Sequence, residues 1–168
     1  MNRVIKSFFL VLSGALVSSQ VWADDLPYQR FRALSMETAN KAAMAAARDC
    51  TKKGHQVAVA VTDRYGNLLA FARSPLSRIH AIDAAQNKAY TAASIQGATE
   101  ELGSQLSYLK GINRFSLIGG GRAIRVGGNM YGAIGVAGAI GKKTPGDVDD
   151  ACAKAGISAI RDDLELAE

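Results

Sequence analysis

The chain has 168 residues, with 20 Lys and Arg against 15 Asp and Glu, and a formal net charge of +5 at pH 7. The basic residues are scattered and do not alternate with aromatic residues along one stripe, which argues against a nucleic-acid-binding protein. A chain of this length is sufficient for one domain with its own hydrophobic core.

The first 23 residues have the pattern of a secretory signal peptide. Arg3 and Lys6 give a positively charged start, and the apolar run SFFLVLSGALV follows at residues 7–17. Small or aliphatic residues stand at the two positions read by signal peptidase before a cut after Ala23. The alternative is a membrane anchor, but the apolar run at residues 7–17 is too short to cross a bilayer core, which needs about 20 apolar residues. We therefore predict cleavage after Ala23, a periplasmic or secreted protein without a membrane anchor, and a single domain over residues 24–168.

The predicted elements describe an α+β domain. Their order contains two hairpins and lacks the strict strand–helix alternation of a parallel sheet. We expect an antiparallel sheet of about five strands flanked by helices. In chain order the elements are a helix capped by Ser35 and running to about Lys53, strands Val57–Thr62 and Leu68–Arg73, a helix Ile79–Gln96, a short helix around Thr99–Leu106, a strand Phe115–Ile118, strands Ala123–Val126 and Met130–Ala137, and a last helix opened by Thr144 and Pro145.

Both cysteines fall on apolar stripes of predicted helices. Cys50 follows three alanines at helical spacing in the first long helix, and Cys152 shares a stripe with Val148, Ala155 and Ala159 in the last one. If these two helices pack side by side, the sulfurs can meet, and an oxidising compartment favours a disulfide. The alternative is a pair of buried free thiols. No C-x-x-C motif is present, which argues against a redox pair or covalently attached haem.

Glycines mark places where another group comes close to the backbone. Gly127-Gly128-Asn129 is typical of a tight hairpin turn. Gly132, Gly135, Gly138 and Gly141 recur every three residues in and after the following strand, and Gly119–Gly121 form a triplet upstream. Inside strands glycine often allows a close approach. The approaching group is either a packed helix or a flat ligand.

The helix Ile79–Gln96 carries the candidate site residues. His80, Ala84, Asn87 and Thr91 share one side at helical spacing, and Lys88 flanks them. A histidine with nearby cations beside a glycine-rich wall suits haem, because imidazole can bind iron and cations can pair with propionates. The alternative is a solvated helix face. The predicted haem-binding residues are His80 as the iron ligand, Arg73, Lys88, Thr91, Gly119, Gly120 and Gly121.

Other chemistries find little support. Two histidines in the whole chain argue against a His-rich zinc site. The hydrolase motif G-x-S-x-G and the P-loop are absent from the sequence. No pair of carboxylates and no nucleophile–base pair is recognisable, so no catalytic residue is predicted.

Four segments together resemble the GlcG/HbpS-like haem-binding family, whose domain also occurs at the C-terminal end of PduO-type corrinoid adenosyltransferases. The match covers nearly all of the chain after the signal peptide, with the segments in the family's order. The segments are Val57–Thr62 with Asp63-x-x-Gly66-x-Leu68, the helix Ile82–Ala92, the glycines Gly119–Gly121 with the strand Tyr131–Gly138, and the closing helix Asp149–Ile160.

The resemblance implies a profilin-like α+β fold, dimer-based homo-oligomers, and haem binding in some members, of which one class degrades haem and feeds a redox-sensing pathway. An exported haem-binding protein, with a haem-degrading or redox-sensing role as an option, is thus the first hypothesis. The second is a binding protein or enzyme for a small carboxylate metabolite, with the anion held by Lys88, Thr91 and the Gly119–Gly121 amides. The third is an oligomeric partner-binding module without chemistry.

Overall fold

A computed structural model of the protein describes residues 27–103 and 105–167. The chain divides into a unit of residues Met1–Arg30 and a compact unit of residues Phe31–Glu168. The signal peptide predicted at residues 1–23 lies outside the described residues. Of the helices that are described, none combines the length and apolar character that crossing a bilayer requires. The elements of the compact unit are α1 (Met36–Lys52), β1 (Ala58–Thr62), β2 (Leu68–Arg73), α2 (His80–Ile95), α3 (Thr99–Leu102), a 3₁₀ turn (Ser107–Gly111), β3 (Gly121–Val126), β4 (Asn129–Ala137) and α4 (Asp147–Glu165).

Four antiparallel strands form the sheet in the order β2-β1-β4-β3 within the described residues. The predicted α+β class is confirmed, but the predicted number of about five strands is wrong. The segment Phe115–Ile118 is not a strand, because side chains bind its backbone groups: Ser116 N donates to Thr91 Oγ1 at 2.8 Å, and Thr99 Oγ1 donates to Ile118 O at 2.7 Å. Backbone groups satisfied in this way need no neighbouring strand.

The hairpin of β3 and β4 is formed as predicted. Gly127 and Gly128 occupy its turn with φ of +53° and +80°, a region that glycine enters without steric cost. β4 then pairs on its other side with β1, so that it lies in the middle of the sheet.

The two faces of the sheet are covered by different helices. Val59 and Val61 of β1 belong to the main core, which they share with α1 and α4, whereas Ala58 and Ala60 pack with α2 on the opposite face. Alternate residues of a strand point to opposite faces, which explains why all five residues of β1 are buried. The larger side chains therefore fill the face under α1 and α4, and alanines fill the face under α2.

Helix α2 lies in backbone contact with the sheet. A Cβ atom added at Gly135 would collide with Ala85 O and Ala89 N, and one at Gly121 would collide with Lys88 O. For these two glycines, the group in close approach is thus a packed helix.

The helix ends are partly as predicted. Ser35 caps α1, since its side chain accepts a hydrogen bond from Thr38 N at 3.1 Å. The predicted cap of the last helix by Thr144 is wrong, because α4 begins at Asp147 after Gly146. The Asp147 carboxylate instead accepts hydrogen bonds from the backbone of the preceding loop, which lowers the pKa of this side chain. The short helix α3 also ends earlier than predicted, at Leu102.

The disulfide between Cys50 and Cys152 is confirmed. It joins the C-terminal end of α1 to the start of α4, with a Cα–Cα distance of 5.6 Å, and both residues are fully buried. The alternative of two free thiols is therefore wrong. Because the two residues are 102 positions apart, the bond ties the two ends of the compact unit together.

Reduction of this disulfide should lower the free energy of unfolding by about 4–5 kcal/mol, because the bond restricts the unfolded chain over a long loop. The measurement is urea unfolding of the protein with and without reductant. The double variant Cys50→Ala/Cys152→Ala is the control, and reductant should not change its stability. Equal stability of oxidised and reduced wild-type protein would contradict the expectation.

Candidate ligand-binding cleft

A cavity of about 310 Å³ opens between the start of α2, the end of β4 and the first turn of α4. His80, Ala84 and Lys88 line it together, at the helical spacing that brings residues four apart onto one side. Gly138 and Gly141 line it from the β4 side, and Gly146 from the α4 side, where they present backbone without side chains.

A second cavity of about 210 Å³ adjoins the first and shares Arg78 and Gly138 with it. His55 lines this second cavity, together with the apolar side chains of Leu76 and Ile140. The two cavities are referred to below as the cleft. Each of the two histidines in the chain therefore lies at the cleft, one in each cavity.

A buried ion pair forms part of the cleft wall. Lys88 Nζ lies 2.7 Å from Asp149 Oδ2 and donates a second hydrogen bond to Val136 O at 2.9 Å, and the side chains of Lys88 and Asp149 are each 5% exposed. The other oxygen of Asp149 accepts a hydrogen bond from Ala139 N at 3.0 Å. The pair thus connects α2, the end of β4 and α4.

Burial raises the pKa of the Asp149 carboxyl, while the Lys88 ammonium and the hydrogen bond from Ala139 oppose the change. The charge of His55 also acts on this carboxyl in the direction that lowers its pKa. Because a buried charge is costly unless it is paired, Lys88 and Asp149 depend on each other.

The rim of the cleft is apolar and cationic. His80 and Arg78 are exposed at its mouth. Leu76 is 80% exposed, Ile140 65% and Ile118 52%, and each of them lines one of the two cavities. Large apolar side chains at this exposure indicate a surface that contacts a ligand or another chain.

The structure brings His80 and Lys88 of the predicted site together. It places Arg78, which the sequence interpretation did not select, at the cleft in the position expected of Arg73. Arg73 instead donates a hydrogen bond to Ser77 O and is not a lining residue of either cavity.

Thr91 has a role inside the fold. Its side chain is fully buried, donates to Asn87 O at 2.7 Å and accepts from Ser116 N at 2.8 Å. It therefore holds the loop after the 3₁₀ turn against α2.

The glycine triplet packs against the protein's own chain. Gly119 N donates to Pro145 O and Gly121 N donates to Thr99 Oγ1. A Cβ atom at Gly120, whose φ is +113°, would lie 2.6 Å from Val136 O and 3.0 Å from Lys88 Nζ. The triplet thus borders the buried ion pair, and its role in ligand binding stays a prediction.

The sequence does not mark His55 as a site residue, because it lies between a helix end and a strand without any periodic pattern. Its only signal is its position just before β1, a central strand whose neighbour β4 ends at the cleft. Across the part of the chain that the structure describes, no three His, Cys, Asp or Glu residues form a group suited to hold a metal ion.

Replacement of Lys88 by Met should lower the free energy of unfolding by about 3–5 kcal/mol at neutral pH, because it leaves the Asp149 carboxylate buried without a partner. The loss should shrink as the pH falls from 7 toward the ordinary carboxyl value of 3.8. Burial raises the pKa of the Asp149 carboxyl in the folded state above 3.8. As the pH falls, the folded variant therefore takes up a proton on Asp149 before the unfolded chain does, which stabilises the folded state.

Urea unfolding at several pH values measures both effects. The control is Lys41→Met, which breaks the ion pair between Lys41 and Asp163, whose side chains are 51% and 49% exposed, respectively. This variant should lose at most about 1 kcal/mol of stability, because exposed ion pairs contribute little. A Lys88→Met variant as stable as this control would contradict the assigned role of the ion pair.

Residues 34–158 match the model of the HbpS-like family, which is described as haem degrading protein HbpS-like. This match spans well over half of the chain.

Two solved structures and one further relative support the same family. A doubly substituted HbpS of Streptomyces reticuli superposes with a TM-score of 0.73 at 35% identity, covering 85% of this chain and 97% of that chain. A complex of PduOC with haem gives a TM-score of 0.66 at 26% identity, covering 76% and 95% of the two chains. An uncharacterized 15.0 kDa protein from the dhaT-dhaS intergenic region of Citrobacter freundii is 30% identical over 118 residues, which are 66% of this chain and 83% of that protein. The chain therefore belongs to the HbpS-like family, as its sequence motifs predicted.

Proposed function

We propose that this protein is exported and binds haem in the cleft, with His80 as the iron ligand. The observation that supports this most strongly is the exposed His80 side chain at the mouth of a cavity whose rim is apolar and cationic. Haem-related binding is consistent with the HbpS-like family and with the haem complex formed by the similar PduOC structure.

The residues of the cleft suit the chemistry of haem. A haem site needs a ligand for iron, apolar surface for the porphyrin and cations for the propionates. His80 offers the imidazole, Leu76, Ile118 and Ile140 offer apolar surface, and Arg78 offers a guanidinium. When bound, haem would supply a redox-active iron. Lys88 is already engaged by Asp149, so its part is to support the wall of the cleft.

The small-carboxylate alternative finds less support in these contacts. Its proposed anion-binding groups are Lys88, Thr91 and the amides of the glycine triplet. Lys88 Nζ contacts Asp149 and Val136, Thr91 is buried in the fold, and two of the three amides donate within the chain.

The proposed export rests on the signal peptide predicted at residues 1–23, and the intrachain disulfide is compatible with an oxidising compartment. A haem-degrading or redox-sensing role is an extension of the same proposal. It would appear as loss of the haem absorbance after binding in the presence of an oxidant or reductant.

Titration of the purified protein with hemin should give a saturable shift of the Soret band. His80→Ala should weaken binding at least about tenfold and change the position of the band, because the iron loses its imidazole ligand. Absorbance spectroscopy measures both quantities, and His55→Ala serves as the comparison because His55 lines the neighbouring cavity.

Two results would contradict this proposal at different levels. A shift lost in His55→Ala and retained in His80→Ala would assign the iron to the other cavity. The absence of a saturable shift in the wild-type protein would contradict haem binding altogether.

We also propose a dimer-based homo-oligomer, which the family resemblance implies, and we place its contact beside the cleft at Ile79. Ile79 directly precedes α2, is 82% exposed, and lines neither cavity. A second copy of the chain is an occupant that would remove this side chain from water.

Light scattering should give an oligomeric mass for the wild-type protein, and Ile79→Ser should shift the mass toward the monomer. Leu166→Ser is the control, since Leu166 is 89% exposed near the C-terminal end of α4. A monomeric wild-type protein would contradict the oligomer proposal and leave the haem proposal open to its own test.

A further inference from the structure

A second concave site, away from the cleft, lies between the edge strand β3 and the outer side of α4. It has a volume of about 330 Å³ and is called the basic groove here. Its lining includes four cationic side chains and no carboxylate, a concentration that the scattered charges of the sequence do not suggest. The four are Arg122, Arg125, Lys154 and Arg161.

The groove follows from helix and strand geometry. Lys154, Ser158 and Arg161 are spaced by four and three residues along α4 and therefore share one side of the helix. Arg122 and Arg125 come from β3, which lies at the edge of the described sheet, next to β4. Positive side chains thus face the groove from both of its walls.

The cations are only partly neutralised. Asp150 accepts two hydrogen bonds from Arg122, at 2.7 and 3.0 Å, and also lies 3.0 Å from Lys154, so one carboxylate serves two cations. Glu101 contacts Arg122 from outside the groove and is 67% exposed.

The two remaining arginines have weaker partners. Arg125 pairs with no carboxylate among the described residues, and its hydrogen bonds go to the neutral Gln96. Arg161 lies 3.7 Å from Glu165, and both side chains are about half exposed. Their guanidinium groups keep donors that can be offered to an anion.

We infer that the basic groove binds a small polyanion with at least two phosphate or carboxylate groups. The planar guanidinium group of arginine can donate two parallel hydrogen bonds to the oxygens of a phosphate or a carboxylate. Arg125 on one wall and Arg161 on the other therefore suit a ligand whose anionic groups are separated. The exposed hydroxyl of Ser158 adds a neutral donor, and the largely buried side chain of Ile157 lies between the cations on α4.

Isothermal titration with pyrophosphate and, separately, with citrate tests this inference and distinguishes the two kinds of anion. The wild-type protein should bind one or both of them, more weakly as the salt concentration rises. The double variant Arg125→Gln/Arg161→Gln should bind at least about tenfold more weakly, because it removes one guanidinium group from each wall of the groove.

The control variant Arg48→Gln/Lys52→Gln removes the same charge from exposed positions of α1 that do not line the groove, and it should bind like wild type. If the groove double variant does not fold, Lys154→Gln replaces it, since the Lys154 side chain is 59% exposed and Asp150 keeps its ion pair with Arg122. The inference would be overturned if the wild-type protein bound neither pyrophosphate nor citrate. It would also be overturned if the groove variant bound the anion no more weakly than the control variant.

Hemin titration separates this inference from the proposed function. The groove variant should keep the wild-type Soret shift, because none of its substituted residues lines the cleft. Displacement of hemin by pyrophosphate or citrate would place the anion in the cleft and would also overturn the inference.

Discussion

The structure depends on the close contact between helix α2 and the sheet. Gly135 and Gly121 leave no side chain between the strands and the helix, and Ala85 and Ala89 complete the contact from the helix side. Because a methyl group at either glycine would meet helix backbone, these two glycines allow the helix to lie this close to the sheet. That position directs the side carrying His80, Ala84 and Lys88 toward the end of β4, where the cleft is formed.

The first turn of α4 then links two sites through neighbouring carboxylates. Asp149 pairs with Lys88 at the cleft, whereas Asp150 pairs with Arg122 at the basic groove. Both carboxylates are nearly fully buried, and such charges are tolerated when a partner and hydrogen bonds are present. The disulfide at Cys152, two residues further on, fixes the same turn to α1. Two buried carboxylates and the disulfide are thus concentrated in one turn of α4.

Local patterns in the sequence were sufficient for much of this fold. The turn at Gly127 and Gly128 and the stripe of His80 on α2 follow from short-range spacing. The same spacing placed Cys50 and Cys152 on buried helix stripes, but it left their pairing open until the packing of α1 against α4 was known. The strand expected at Phe115–Ile118 failed because distant hydroxyl groups bind its backbone, which no local pattern reveals. The cleft was predicted only in part, because local patterns also fail to reveal which distant residues meet there. Asp149 as the partner of Lys88, and His55 as a cleft residue, result from tertiary packing across elements far apart in the chain.

The central claim is that the cleft holds haem with its iron at His80. The most direct measurement is anomalous diffraction at the iron absorption edge from crystals of the protein grown with hemin. The account predicts an iron peak in the cavity between α2, β4 and α4, within bonding distance of a ring nitrogen of His80. An iron peak at another part of the surface, or a fully formed crystal with no iron peak after saturation with hemin, would contradict it.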